Sequence, residues 1–131
     1  MKSLLLDTSA YSSIGRGNKI ISDILNNAEQ IFVPSIVVGE LKAGFAFGTK
    51  RIENEKFLNR FLADPAVSVV TISDKTPTEF AEIYLQLRND GLPIGQNDLW
   101  IAAIARENGL PLLTLDKDFA NVKGIDLVSI I

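Results

Sequence analysis

The chain opens on Ser3-Leu4-Leu5-Leu6-Asp7-Thr8-Ser9, where a short apolar run ends in a carboxylate and two hydroxyls. A run of this length next to a polar turn predicts a buried strand over Ser3–Leu6. Similar runs predict strands over residues 31–33, 67–72, 112–115 and 127–130. Asp7 would then project from the carboxyl end of a strand, at one edge of a sheet.

Helical periodicity fills the intervals between these strands. The apolar spacing is clearest after Thr76-Pro77-Thr78-Glu79, which has the pattern of a capping box with proline in the first turn. Further helices are predicted around residues 20–25, 36–47, 50–62 and 99–105. Strands that alternate with helices are typical of an α/β domain with a mainly parallel sheet covered on both faces. Ligands bind such sheets beyond the carboxyl ends of the strands.

The composition limits the chemistry that is open to the protein. The length of 131 residues predicts a single domain over residues 1–131, and the chain contains no cysteine and no histidine. Thiol nucleophiles, thiolate or histidine-ligated zinc and imidazole-based triads are therefore excluded. Because no apolar run has the length of a signal-peptide core or a membrane span, a cytoplasmic protein without a membrane segment is expected. The net charge of −3 argues against binding of nucleic acid over the whole surface.

Four carboxylates stand beside apolar stretches that offer them no obvious partner. They are Asp7, Glu40, Asp98 and Asp116. A buried carboxylate without a partner is costly and normally takes up a proton, so these positions favour a bound cation. Carboxylates without histidine or thiolate form the hard-oxygen site that Mg²⁺ or Mn²⁺ prefers. Two such ions could clamp the attacking and leaving oxygens of a phosphodiester, which would remove the need for an imidazole base.

Each of these acids also has an ordinary structural explanation. Asp7 and Asp98 could cap the segments that follow them, and Asp116 could form an Asx-turn. Glu40 could pair with Lys42, although residues two apart on a helix do not face each other. Glu40 is therefore the acid whose position most favours a metal ligand.

Four motifs resemble the PIN domain family, and specifically its VapC-type toxins. They are Leu5-Leu6-Asp7-Thr8-Ser9, Pro34-Ser35-Ile36-Val37-Val38-Gly39-Glu40-Leu41, Asn97-Asp98-Leu99-Trp100-Ile101-Ala102-Ala103 and Leu113-Thr114-Leu115-Asp116-Lys117-Asp118-Phe119. They follow the family's order at fitting intervals and span nearly the whole chain. The resemblance implies a three-layer α/β/α sandwich with a mainly parallel central sheet, and an endoribonuclease dependent on Mg²⁺ or Mn²⁺.

The resemblance also assigns roles to individual residues. Asp7, Glu40, Asp98 and Asp116 correspond to the family's catalytic and metal-binding quartet, with Asp118 as an accessory acid. Ser9 and Thr114 occupy positions where the family often has a hydroxyl beside the pocket, so they are expected to orient acids or bound waters.

The family further implies a cytoplasmic prokaryotic toxin that is commonly a homodimer and is neutralised by a cognate antitoxin. Five apolar side chains could form an exposed groove for an amphipathic helix of such a partner, or could pack internally. They are Leu41, Phe45, Phe47, Phe57 and Phe61. Six cations could contact RNA phosphates or form a solvated face. They are Arg16, Lys19, Lys50, Arg51, Lys56 and Arg60.

Two other functions stay open at this stage. A non-catalytic PIN-like module would use the same fold to bind RNA or a protein, although the intact quartet argues against it. A metal-dependent phosphatase acting on monoesters is a weaker alternative.

Overall fold

The computed structural model describes residues 2–130, and the two ends of the predicted domain, Met1 and Ile131, lie outside that part. Its centre is a parallel sheet with the strand order β3-β2-β1-β4. The strands are β1 (Ser3–Leu6), β2 (Gln30–Pro34), β3 (Val67–Val70) and β4 (Leu112–Leu113). The helices are α1 (Thr8–Ile14), α2 (Lys19–Asn27), α3 (Ser35–Phe47), α4 (Arg51–Ala63), α5 (Thr76–Asp90) and α6 (Gln96–Asn108), and a 3₁₀ helix spans Lys117–Asn121. Across residues 2–130, the helices are too short or too polar to traverse a bilayer.

Strand β1 lies inside the sheet, between β2 and β4. Leu4, Leu5 and Leu6 are completely buried, as expected for a parallel strand covered by helices on both faces. Beyond the strand, the backbone N–H of Asp7 donates to the carbonyl of Leu113 at 3.0 Å, which fixes Asp7 at the carboxyl edge. The predicted α/β class with a parallel central sheet flanked by helices is confirmed.

The short helix α1 does not follow from the sequence pattern. It begins directly after Asp7, in a segment where hydroxyl side chains interrupt any apolar periodicity. Ala10 and Tyr11 are buried, so packing against the core stabilises a helix too short to be stable alone.

The last strand predicted from the sequence, over residues 127–130, is wrong in extent. This segment pairs with the sheet through a single parallel bridge between Leu112 and Leu127. The backbone of Leu112 accepts from the N–H of Val128 and donates to the carbonyl of Asp126. Because β4 ends after Leu113, a neighbouring strand has almost no ladder to extend.

The capping box predicted at the start of α5 is also wrong. Thr76 is the first residue of the helix and makes no cap hydrogen bond. Its buried hydroxyl donates instead to Glu107 near the end of α6. Glu79 accepts from the guanidinium of Arg106, also on α6, at 2.8 Å. Partners on the adjacent helix thus take both side chains away from the helix terminus.

Candidate active site

Asp7 is almost completely buried and is held by two hydroxyl groups. Its Oδ2 accepts from Thr114 Oγ1 at 2.7 Å and from Ser9 Oγ at 2.9 Å. Ser9 Oγ in turn accepts from the backbone N–H of Leu115 at 2.9 Å. Asp7 occupies the N-cap position of α1, but its side chain makes no cap hydrogen bond. The capping explanation therefore fails for Asp7, and the expected contacts of Ser9 and Thr114 with a pocket acid are present.

Glu40 lies in the middle of α3 and is contacted from two other elements. Its Oε1 accepts from Thr8 Oγ1 at 2.7 Å, and its Oε2 accepts from Asn97 Nδ2 at 3.4 Å. Lys42 does not serve as its partner, because the Lys42 ammonium forms an ion pair with Glu55 on α4 at 3.0 Å. The simple salt-bridge explanation for Glu40 is thereby excluded.

Asp98 lies inside the first turn of α6, which begins at Gln96 with Gly95 at the N-cap. The suggestion that Asp98 caps this helix is thus wrong. A helix N-terminus favours a charged carboxylate. Even so, the pKa of Asp98 is raised to about 6, first by burial and then by the negative charges of Asp7, Asp116, Glu40 and Asp118. Burial and like-charge repulsion therefore outweigh the helix dipole.

Asp116 follows β4 and turns the chain into the 3₁₀ helix. Its Oδ1 accepts from the backbone N–H of Asp118 at 2.9 Å, so the Asx-turn explanation is correct for this oxygen. Its own backbone N–H donates to Thr114 Oγ1 at 3.0 Å. One hydroxyl, that of Thr114, thus contacts both Asp7 and the segment that carries Asp116.

The acids act on one another electrostatically, but they do not enclose a common point. Within residues 2–130, no group of three acidic side chains is close enough in this arrangement to hold one ion. Four carboxylates nevertheless contribute to the raised pKa of Asp98, so they share one region of negative potential. The carboxylates and hydroxyls, with no nitrogen or sulfur ligand, fit a hard divalent cation.

The family model for the PIN domain matches residues 4–125. The chain belongs to the PIN domain family. This PIN domain is 32% identical to Ribonuclease VapC1 of Rickettsia felis, over 97% of this chain and 96% of that protein. It is 28% identical to Ribonuclease VapC5 of Mycobacterium tuberculosis, over 97% of this chain and 93% of that protein.

Solved structures share the fold of this PIN domain. VapBC2 from Rickettsia felis, bound to a DNA fragment from its promoter, has a TM-score of 0.85 and 27% identity, covering 96% of this chain and 97% of that one. DNA-bound VapBC from Salmonella typhimurium has a TM-score of 0.87 and covers both chains completely. At 23% identity, the second likeness shows the fold alone.

Two residues that contact the quartet were not singled out by the sequence patterns. Thr8 and Asn97 both donate to Glu40, and each adjoins another quartet acid in the chain. Their positions beside Asp7 and Asp98 place them near the site. Adjacency in sequence cannot show which carboxylate a side chain reaches, because that depends on how α1, α3 and α6 pack.

This PIN domain also has a cleft of about 650 Å³ between α1, α3 and α4. Its walls include Tyr11, Phe45, Phe57, Lys56 and Arg60. Burial raises the pKa of Tyr11 to about 12. The buried Tyr11 hydroxyl has no hydrogen-bond partner within the part of the chain that the structure describes.

The expected apolar groove is present only in part. Leu41 is buried, and Phe61 packs edge-on against Tyr11 at a ring-centroid distance of 5.3 Å. By contrast, Phe47 is 95% exposed and Phe57 is 47% exposed. The six candidate RNA-contacting cations are all exposed. Their contact with RNA stays a prediction.

Proposed function

We propose that this PIN domain is a divalent-metal-dependent endoribonuclease, and that it is the toxin of a type II toxin–antitoxin pair acting in the cytoplasm. The observation that carries the proposal is the group of carboxylates at the carboxyl edge of the sheet, where burial first and then their combined charge raise the pKa of Asp98. Curated relatives named Ribonuclease VapC, which this chain matches over most of its length, support hydrolysis of RNA as the reaction.

Asp7, Glu40, Asp98 and Asp116 would hold Mg²⁺ or Mn²⁺, with Asp118 as an accessory acid. When bound, divalent cations supply Lewis acidity that lowers the pKa of water and stabilises charge on the phosphate and the leaving oxygen, with two ions as the proposed stoichiometry.

Residues around the proposed ligands set the orientation and charge of the carboxylates. Ser9 and Thr114 donate to Asp7, which orients its carboxylate. Asp98, with a pKa near 6, is mostly ionised at neutral pH and is then available as a ligand.

Cleavage of RNA by the purified protein tests this function. We expect cleavage in Mg²⁺ or Mn²⁺, its loss in excess EDTA, and a loss of at least about a hundredfold in Asp7→Asn and Asp98→Asn, because each variant removes a ligand charge. Asp23→Asn, on the exposed face of α2, is the matched control and should cleave normally.

Three results would contradict the proposal in distinct ways. Full activity in Asp7→Asn would refute the assignment of the quartet. Tight RNA binding without turnover in any divalent metal would favour the non-catalytic module. Hydrolysis of a chromogenic phosphomonoester without RNA cleavage would favour the phosphatase.

We further propose that a cognate antitoxin binds this protein and that the toxin is a homodimer. The VapBC assemblies formed by structurally similar proteins support an antitoxin, and the exposed aromatic surface at Phe47 and Phe57 is the apolar area available to it. A short gene adjacent to this one would encode the partner. Its product should inhibit RNA cleavage by the wild type, and inhibition should weaken in Phe57→Asp while cleavage persists. Analytical ultracentrifugation of the free protein tests the dimer.

A further inference from the structure

Glu40 is held by residues that adjoin two other members of the quartet. Thr8 follows Asp7 in the chain, and Asn97 precedes Asp98. We propose that Thr8 is a positioning residue, whose hydroxyl fixes the Glu40 carboxylate in the orientation in which it binds a divalent cation. The proposal rests on the proposed metal-dependent function. It concerns a residue other than the four acids and the two expected hydroxyls of Ser9 and Thr114.

The contact between Thr8 and Glu40 joins parts of the chain that are distant in sequence. Thr8 Oγ1 donates to Glu40 Oε1 at 2.7 Å across 32 residues, in a partly buried setting. A hydrogen bond to an ionised carboxylate is about twice as strong as one between neutral groups. A glutamate side chain also has considerable rotamer freedom to lose, so an anchor on one oxygen restricts where the other can point.

The anchor is itself rigid. Thr8 is the first residue of α1, and the preceding residue is tied to the sheet through the bond from Asp7 N–H to the Leu113 carbonyl. Because threonine is branched at Cβ, few side-chain rotamers are available to it. The hydroxyl of Thr8 therefore fixes the Glu40 carboxylate, on helix α3, relative to the edge of the sheet.

Neighbouring hydroxyls serve different carboxylates. Ser9 and Thr114 both donate to Asp7, whereas Thr8 donates to Glu40. Asn97 also donates to Glu40, but its distance of 3.4 Å and its exposed position make that bond weaker. Thr8 is accordingly the main constraint on Glu40.

The donors on Glu40 are uncharged, which preserves its function as a cation ligand. Thr8 and Asn97 orient the carboxylate without neutralising it, while the nearest lysine on the same helix, Lys42, is paired with Glu55. A lysine or arginine donor would bring a positive charge that competes with the metal for the carboxylate.

Calorimetric titration with Mn²⁺ alone tests the proposal on wild type, Thr8→Val and Thr8→Ser. Thr8→Val keeps the shape of the side chain and removes the donor, so we expect Mn²⁺ affinity to fall by about tenfold or more. Thr8→Ser retains a hydroxyl at this position, so its Mn²⁺ affinity should lie within about threefold of that of the wild type. Thr78→Val makes the same change at an exposed position on α5 and should bind normally.

A second measurement needs no metal. In cation-free protein, the side-chain carboxyl ¹³C resonance of Glu40 should shift in Thr8→Val and return toward its wild-type position in Thr8→Ser. Should Thr8→Val fail to fold, Thr8→Ala takes its place with the same expectations.

The outcomes separate this proposal from the function on which it rests. If the wild type binds Mn²⁺ and Thr8→Val binds it equally well, the role of Thr8 is overturned while the proposed function stands. Equal losses in Thr8→Val and Thr8→Ser would overturn it as well, since the hydroxyl retained in Thr8→Ser would then not be sufficient for Mn²⁺ binding. Wild type that binds no divalent cation would overturn the proposed function and this inference together.

Discussion

Asp98 is the acid whose ionisation the folded structure disfavours most clearly. Its carboxyl lies in the first turn of a buried helix, and four other acids raise its pKa in addition to the effect of burial. Such a group lowers the stability of the folded protein whenever it is ionised. The same negative potential is what a divalent cation would neutralise.

The effect of Asp98 on stability depends on pH, because its pKa differs between the folded and unfolded states. The Asp98 carboxyl has a pKa of about 6 in the folded protein and an ordinary value of 3.8 when unfolded. Below pH 3.8 both states are protonated, and between pH 3.8 and 6 the folded state holds the proton more tightly. Wild-type stability therefore falls as the pH rises through this window and then levels off with respect to this group.

We predict that Asp98→Asn stabilises the cation-free protein, because asparagine stays neutral at every pH. The gain in melting temperature should be absent near pH 3.5, grow up to about pH 6 and then stay constant. Thermal denaturation in EDTA at several pH values measures it, with Asp23→Asn as the exposed control. A lower melting temperature for Asp98→Asn at pH 7 would show that the acids do not repel one another at this position.

At the scale of the elements, α5 and α6 form a pair joined by polar contacts at one end. Thr76 and Ser73 both donate to the carboxylate of Glu107, while Arg106 forms ion pairs with Glu79 and Glu82. These contacts lie at the end of α6 opposite Asp98. They hold the helix that carries the acid in register with its neighbour.

We predict that Thr76→Val destabilises the protein by about 1–3 kcal/mol, because it leaves one carboxylate oxygen of Glu107 without its buried donor. Urea denaturation measures the change. Thr78→Val, two residues further along the exposed side of the same helix, should change the free energy of unfolding by less than about 0.5 kcal/mol. If the two variants lose stability equally, the contact with Glu107 is not what Thr76 contributes.

Two glycines should respond in opposite directions to the same substitution. Gly109 ends α6 with a φ of +60°, a left-handed conformation that costs an alanine about 1–2 kcal/mol. Gly44 lies within α3, where an added Cβ would meet no atom within 4 Å. We predict that Gly109→Ala destabilises the protein and that Gly44→Ala stabilises it by about 0.5–1 kcal/mol through helix propensity. Chemical denaturation of both variants distinguishes the two signs.

For the whole molecule, the carboxyl edge of the sheet gathers carboxylates that form no ion pair with the lysines and arginines of residues 2–130. Asp7 and Asp116 reach this edge from adjacent strands, and Glu40 and Asp98 reach it from helices. The apolar core behind them is continuous, with β1 at its centre. A cation that binds the edge would therefore stabilise the folded state as a whole.

We predict that Mg²⁺ or Mn²⁺ raises the melting temperature of the wild type. At a concentration one hundred times the dissociation constant, the gain in stability would be about 2.7 kcal/mol. The increase should be smaller in Asp98→Asn, which carries one charge fewer to attract the ion. Scanning calorimetry with and without Mg²⁺ measures both, and an equal concentration of Na⁺ serves as the control for screening by salt. An identical rise in the two proteins would argue against Asp98 as a ligand.

Local patterns were sufficient for the α/β class, the parallel sheet and most of the helices, because apolar periodicity and strand-length runs report directly on burial. They also led to the four acids, since a carboxylate beside an apolar run is unusual wherever it occurs. They failed at α1, at the capping box of Thr76 and at the C-terminal strand. At α1 and at Thr76, contacts with a distant segment outweighed the local preference, and at the C-terminal strand the short β4 left almost no ladder to extend.

The sequence alone thus limited the side chains of any metal site to oxygen ligands such as carboxylates and hydroxyls, because the chain contains no histidine or cysteine. The tertiary structure alone decided how these residues are paired. It assigns Ser9 and Thr114 to Asp7, and Thr8 to Glu40. The physical reason is that a hydrogen bond depends on distances of a few tenths of an ångström, and those distances are set only when strands and helices far apart in the chain pack together.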